Sequence, residues 1–216
     1  YMAGKLSVVA TPIGNLEDIT LRALRVLKEA DFVACEDTRN TRKLLSHFDI
    51  HTPVVTDRKT LVLLAQDKHI ALVSDAGTPG VSDPGLELVA RAREAGAGIE
   101  TIPGPSALAA AVAIAGLRVP SFTFYAFLPQ KKGRETLFKE IAASERASIF
   151  YESPHRILKA LASLNKVAPT RRVGLYRELT KIYEEALIGT PQELLAILEA
   201  EPVKQKGEFV VIVEAE

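Results

Sequence analysis

The chain has 216 residues, 47% of them hydrophobic, with 27 basic and 27 acidic side chains and a formal net charge of +0. That apolar content excludes a wholly disordered chain, and the zero balance argues against bulk electrostatic binding to nucleic acid while leaving room for a local basic surface. One cysteine, Cys35, excludes an internal disulfide and an all-cysteine metal cluster and fits a reducing, cytoplasmic setting.

The opening YMAGKLSVVATP carries no signal-peptide pattern. LSVVAT predicts a first strand. TLRALRVLKEA puts Leu21, Leu24 and Leu27 on one helical face, with Thr20 or Asp18 as its cap. FVAC predicts a second strand, TRKLLSHF a short helix, and HIALVSDAGTP a third or fourth strand. GLELVARAREAG is a helix closed by Gly96. AGIETIPGPSALAAAVAIAG reads as strand, turn and small-residue helix; its apolar run, Ala107 to Leu117, is too short to cross a membrane. This alternation predicts an α/β unit with a mainly parallel sheet and right-handed crossovers. Arg118 to Pro120 is the expected boundary, dividing the chain into residues 1–117 and 118–216. Beyond it, ASIFYE, RRVGLYREL, YEEALIG and GEFVVIVEA predict strands, and RETLFKEIA, HRILKALASL and TPQELLAILEA predict helices. The run RVGLYRELTKIYEEALIG predicts a hairpin, hence a mixed C-terminal sheet.

Four loops follow the early strands: TPIGNLEDIT, CEDTRNT, SDAGTPGVSDPG and PGPSA. In an open parallel sheet these fall at the carboxyl edge, where ligands bind. Turn chemistry alone could demand Gly14, Gly77, Gly80 and Gly104; four such loops together point to a binding edge. The glycine triplet of a dinucleotide fold and the GKT or GKS of a phosphate loop are both absent. Asp75, beside a glycine turn, suits a ribose hydroxyl or a cationic group; Asp75 and Asp83 could instead bind magnesium. No Cys-x-x-Cys or His-x-x-x-His spacing supports a metal site, and none is expected.

The segments VVATPIGNLEDITLRALRVLKEADFVACEDTRNTRKLL, ALVSDAGTPGVSDPG, IPGPSALAAAVAIAGL, FLPQKKGR, IFYESPHRI, RELTKIYEE and KGEFVVIV follow one another from Leu6 to Val213. In that order they resemble the motifs of the bacterial 16S ribosomal RNA 2′-O-ribose methyltransferases of the tetrapyrrole methylase superfamily. The resemblance implies a two-domain tetrapyrrole methylase-like fold that holds S-adenosylmethionine, folded, in a cleft between the domains. It implies that TPIGN, with Pro12 and Gly14, shapes one wall, and that Asp75, Ala76, Gly77, Thr78 and Pro79 form the cofactor loop. Gly104, Pro105 and Ser106 of PGPSA, Pro120 of the crossover, and Tyr151 and Leu179 on a second wall complete the implied cofactor set. The implied reaction is 2′-O-methylation of cytidine 1402 in the small-subunit RNA by a homodimer without membrane attachment. A C-methyltransferase for a tetrapyrrole precursor and a silent ribosome-assembly binding module remain as alternatives. Between Phe48 and Leu72 the chain departs from the family, lacking its usual histidine–glutamate pair.

Such a transfer needs alignment and a group that helps a ribose hydroxyl lose its proton. Glu36, Glu152 and His155 are the candidates. Glu36–Asp37 with Arg39 and Arg42 reads either as a capped helix with solvated ion pairs or as acids at the cleft with arginines toward phosphate. His155 is either an ordinary helix-start residue or a base of near-neutral pKa. Lys131, Lys132 and Arg134 read as a flexible basic loop. With Arg156, Arg177 and Lys181 they are expected on the RNA backbone or, more blandly, as a solubilising surface.

Overall fold

The first sheet is built from five short apolar runs, all parallel: β1 (Lys5–Val9), β2 (Phe32–Ala34), β3 (Val54–Val55), β4 (His69–Leu72) and β5 (Gly98–Ile102), in the order β3-β2-β4-β1-β5. The computed structural model describes residues 4–215, so the first three residues of the N-terminal segment lie outside it. Crossover helices are α1 (Leu21–Glu29), α2 (Thr38–His47), α3 (Asp57–Leu64) and α4 (Gly85–Glu94). Through α1 and α2 the chain moves toward the β3 edge, and through α3 and α4 it returns. Right-handed crossovers then place the two pairs on opposite faces. Ala23, Val26, Leu27 and Leu45 accordingly pack against Val9, Val33, Ala71, Val73 and Ile102. Leu64, Leu88 and Ala92 pack against Leu6, Ala34, Ile70 and Leu72. Thr20, rather than Asp18, caps α1, its hydroxyl accepting from the Ala23 N–H at 3.0 Å. β3 and α3 occupy the segment between Phe48 and Leu72.

The second unit begins with α5 (Ala107–Ala113) and continues through β6 (Phe122–Phe127), α6 (Arg134–Ala142), β7 (Ala147–Glu152), α7 (Ile157–Val167), β8 (Val173–Arg177), β9 (Glu185–Gly189), α8 (Pro191–Ala200) and β10 (Phe209–Val213). Its sheet order is β6-β7-β10-β8-β9. β6 and β7 are parallel and every other pair is antiparallel, which makes the sheet mixed. β8 and β9 form the expected hairpin, in register from Val173 opposite Gly189 to Arg177 opposite Glu185. Phe138, Ile141, Leu161, Leu164, Leu194 and Leu198 of α6, α7 and α8 bury one face against Phe150, Leu175, Phe209 and Val211. Thr190 and Glu193 close a reciprocal capping box at the start of α8.

The compact units divide between Ser106 and Ala107, upstream of the Arg118–Pro120 segment read from the sequence. The reason is α5. It packs on β10, and the Tyr176 hydroxyl donates to the Ala115 carbonyl just beyond it. Burial pushes the Tyr176 hydroxyl up to about 12, so it stays a donor. Seven residues of mostly alanine carry no amphipathic stripe that would reveal this attachment in advance.

One polar network lies on the α1 face of the first sheet. His69 Nε2 is 2.7 Å from Ser7 Oγ, and the fully buried Ser7 hydroxyl donates to Glu100 Oε1 at 2.7 Å. Lys5 and Arg22 both pair with Glu100. Burial and then the Lys5 charge hold the His69 imidazole below its ordinary value of 6.5, against the pull of Glu100, Asp31 and Glu29. Just below that pH the unfolded chain therefore binds more protons than the native one. The His69 contribution is complete above the ordinary value and is lost as pH falls through the lowered one. Glu100, whose carboxyl is also held low, loses its share only in the carboxylate range. Urea midpoints of the wild type should therefore drop more between pH 7 and about pH 5.5 than those of His69→Gln. Equal drops would show that His69 does not carry the effect.

Candidate functional site

Because the five strands of the first sheet run the same way, every loop leaving a carboxyl end emerges at one edge. Three of these loops are stitched together. Thr11 and Gly77 exchange two backbone hydrogen bonds, of 2.9 and 3.0 Å. The Thr11 hydroxyl donates to the Ser74 carbonyl at 3.3 Å, and the Thr78 hydroxyl donates to the Pro105 carbonyl at 3.0 Å. The structure thus brings Pro12, Gly14, Asp75 to Pro79 and Gly104 to Ser106 into one set of loops. Gly77 sits at φ +78°, and a Cβ there would meet Ile13 Cγ2 at 3.3 Å, so a side chain is both strained and crowded. A Cβ at Gly104 would come within 3.0 Å of the Ala10 Cβ. Gly14, Asp75, Ala76 and Gly104 are exposed, whereas Pro12, Gly77 and Pro79 are buried beneath them. Asp83 is spent on its own loop, accepting from the Gly80 N–H at 3.0 Å and the Gly85 N–H at 2.8 Å. Among the described residues no three His, Cys, Asp or Glu side chains are grouped to hold a metal ion.

After β2, Glu36 is exposed. Asp37 caps α2, accepting from the Arg39 N–H at 2.8 Å, and its other oxygen meets Arg39 Nη2 at 2.9 Å. Side-chain hydrogen bonding to Arg39 is the main reason the Asp37 carboxyl lies below its ordinary range. The capped-helix reading thus describes Asp37 and Arg39, while Arg42 stays exposed on α2.

In the second unit β6, β7 and β8 also run the same way, so the 128–133, 153–156 and 178–184 loops share an edge. Glu152, the last residue of β7, has a fully buried side chain. Its Oε2 lies 2.6 Å from Arg134 Nη2, and its Oε1 lies 2.9 Å from Arg156 Nε and accepts from the Ser153 N–H at 2.8 Å. Both carboxylate oxygens are thus engaged and the side chain is shut off from solvent, in contrast to the expectation that Glu152 meets the acceptor hydroxyl. Arg134 is likewise no part of a flexible loop. It is the first residue of α6, buried, with its guanidinium over the Phe138 ring and Nη1 donating to the Pro129 carbonyl at 3.1 Å. Lys131, Lys132 and His155 are exposed.

Arg177 is also buried. It donates to Glu185 Oε2 at 3.1 Å through Nη2 and to the Lys206 carbonyl through Nη1. Lys204 completes the pair from the other oxygen of Glu185, at 2.8 Å. Lys181 is clamped between Glu178 and Glu208 at 3.0 and 2.9 Å. Burial would raise the Glu178 carboxyl, but the Glu208 N–H and the Lys181 ammonium outweigh it and hold it low. Arg134 and Arg177 therefore spend their charge inside the protein and Lys181, partly exposed, spends its charge on two glutamates, against the expectation that they meet RNA. The signal that could have found them is the charged residue at a strand terminus, Glu152 closing β7, Arg177 closing β8 and Glu185 opening β9, since such a charge, once buried, demands an opposite charge from a neighbouring segment.

Of the remaining expected cofactor residues, Pro120 is exposed ahead of β6 and Leu179 is buried. Tyr151 is half-buried, with Phe124 and Phe127 edge-on to its ring at 5.0 and 5.5 Å and the Leu108 backbone at its hydroxyl. Ala126, at φ +53°, interrupts the alternation of β6 and leaves Phe127 exposed.

The sequence profile of the tetrapyrrole (corrin/porphyrin) methylases matches residues 5–195. Ribosomal RNA small subunit methyltransferase I of Halalkalibacterium halodurans is 48% identical, over 81% of this chain and 64% of that protein. The protein of the same name from Thermotoga maritima is 42% identical over 81% of this chain and 83% of its own length. The chain thus spans just under two thirds of the first relative and most of the second. Among solved structures, uroporphyrin-III-C-methyltransferase from Thermus thermophilus superposes with a TM-score of 0.65 at 21% identity, covering 97% of this chain and 94% of that one. The methyltransferase CobJ superposes with a TM-score of 0.71 at 21% identity, covering 99% and 95%. At that identity the two structures speak for the fold. A doubly wound parallel unit followed by a mixed-sheet unit, under a profile that runs through nearly all of both, places the chain in the tetrapyrrole methylase family, alongside the ribosomal RNA small subunit methyltransferases I.

Proposed function

We propose that this chain is an S-adenosylmethionine-dependent methyltransferase that modifies the 2′-hydroxyl of cytidine 1402 in 16S ribosomal RNA, as a cytoplasmic homodimer. The observation that carries the reading is 42% identity extending over 83% of a ribosomal RNA small subunit methyltransferase I. The tetrapyrrole alternative has behind it the family profile, which both readings share, and structures at 21% identity, against 42–48% identity to the ribosomal RNA methyltransferases. No helix among the described residues is long and apolar enough to cross a membrane.

The loops of the first unit suit such a cofactor. Small residues at Ala76, Gly77 and Gly104 keep side chains from covering the main chain at the carboxyl edge, where a nucleoside is held by backbone groups. When bound, S-adenosylmethionine supplies a methyl group on a cationic sulfur. The exposed Asp75 carboxylate takes a ribose hydroxyl pair or a cationic group, and the Thr78–Pro105 hydrogen bond keeps the two loops in register around it. With Glu152 committed to its arginines, exposed His155 and Glu36 are the groups left to accept the proton of the acceptor hydroxyl.

Mapping ribose methylation on small-subunit RNA, after deletion of the gene and complementation with this chain, tests the reading. Methylation at cytidine 1402 should vanish and return. A modification that survives the deletion would reject the assignment. Asp75→Ala should weaken cofactor binding about tenfold to a hundredfold in calorimetry, the worth of a hydrogen bond to a charged group. Light scattering on the active protein should report a particle of about twice the 23.4 kDa chain mass.

A further inference from the structure

We infer that Glu152 is a positioning residue that assembles a phosphate-binding patch from Lys131, Lys132 and Arg156 at the β6–β7 end of the second sheet. The inference rests on the RNA reading above and adds which side of the edge meets the RNA backbone.

Two observations converge on this patch. The first is topological. β6 and β7 are parallel, so the Leu128–Gly133 loop and the Ser153–Arg156 turn leave the sheet side by side. The second is electrostatic. The cations of the β8–β9 side are neutralised at short range: Arg177 and Lys204 by Glu185, and Lys181 by Glu178 and Glu208. On the β6–β7 side, Glu152 is the one acid shared by two arginines, and the exposed Lys131 and Lys132 make no ion pair with any described residue. Positive charge is in excess there, next to a buried pair in a low-dielectric setting where an unscreened guanidinium draws an anion.

The geometry divides the work. Arg134 uses Nη2 on Glu152, Nη1 on the Pro129 carbonyl and its face on Phe138. It therefore ties the base of the lysine loop to the end of β7. Arg156 Nε lies 2.9 Å from Glu152 Oε1 and donates to Ser153 Oγ at 3.1 Å. Its side chain is 22% exposed, and in the inference its guanidinium meets the phosphate. Glu152 is shut off from solvent; its role is to fix where both cationic segments stand.

The test is binding and turnover on a 16S ribosomal RNA fragment that contains cytidine 1402, across a range of salt. Simple charge counting says that Glu152→Gln, which removes a negative charge, should tighten RNA binding. A positioning role says the opposite: about tenfold weaker binding, a raised KM for RNA, kcat within a few-fold at saturation, and unchanged cofactor affinity. Tighter binding, or a lost kcat at constant KM, would overturn the inference. Should Glu152→Gln fail to melt cooperatively, the surface variants decide. Lys131→Ala with Lys132→Ala, and Arg156→Ala separately, should each lower the slope of log affinity against log salt by about 0.7–0.9 per cation removed, while Lys181→Ala leaves it unchanged. An equal loss of slope in Lys181→Ala would erase the proposed division of the edge. Loss of cofactor affinity rather than RNA affinity in Arg156→Ala would mean that its anion is the cofactor carboxylate. A wild-type chain that neither binds nor methylates the fragment rejects the RNA reading itself. A wild type that binds, with variants that bind as well, rejects only the patch.

Discussion

Parallel strand pairing is the constraint from which the rest follows. Two strands joined by a crossover in one sheet must point the same way, so each carboxyl end delivers its loop to the same edge. In the first unit that rule gathers segments more than ninety residues apart, from Thr11 through Gly77 to Pro105, close enough to hydrogen-bond. The helices then do little beyond burying two faces. Small residues in the loops are a consequence, because strand ends a few ångströms apart leave no room for side chains at Gly77 or Gly104.

The second unit uses the same rule with different chemistry. Its edge carries charged side chains at strand ends, where Glu152, Arg177 and Phe209 lie in one row across β7, β8 and β10. A charge buried at such a point without a partner costs about 3–5 kcal/mol, so each strand-end ion must recruit its opposite from a neighbouring loop. That requirement fixes the loops. Arg134 anchors one, Arg156 another, and Lys181 the hairpin tip, where Glu178 and Thr180 hold positive φ without glycine. Left-handed non-glycine residues persist only where the surroundings over-determine them, and the Glu178–Lys181–Glu208 clamp does so here.

Legibility in the sequence followed the same division. Long apolar or strongly periodic runs such as ASIFYE, HRILKALASL and RVGLYRELTKIYEEALIG announced β7, α7 and the β8–β9 hairpin, because burial writes itself as hydrophobic pattern. The two-residue β3 was invisible, being too short to show any period, and α5 was readable as a helix but not as a member of the second unit. The glycine and proline loops pointed to the carboxyl edge of the first sheet because turn residues mark strand ends. Arg134 and Arg177 were misjudged for a reason intrinsic to composition. An arginine in KKGR looks the same whether it faces water or a buried carboxylate, and the partner that decides is eighteen residues away in Glu152.

The two edges therefore differ in what they can do for a displacement reaction. The loops of the first unit offer backbone groups and exposed carboxylates, Asp75 between the stitched loops and Glu36 after β2, with three of the loops tied by hydrogen bonds. Such a site binds and orients but has little acid–base capacity. The edge of the second unit carries ion pairs that neutralise most of its buried charges, while His155, Lys131 and Lys132 are exposed and Arg156 is partly so. Transfer from a cationic sulfur to a hydroxyl asks little of acid–base chemistry, because the leaving group departs neutral and the proton can follow the bond. In the proposed reaction the demand falls instead on placing a polyanionic RNA within reach of the methyl carbon. In a chain of zero net charge a local basic surface requires that some cations stay unpaired; Glu152 is buried between Arg134 and Arg156, whereas Lys131 and Lys132 nearby make no ion pair with any described residue.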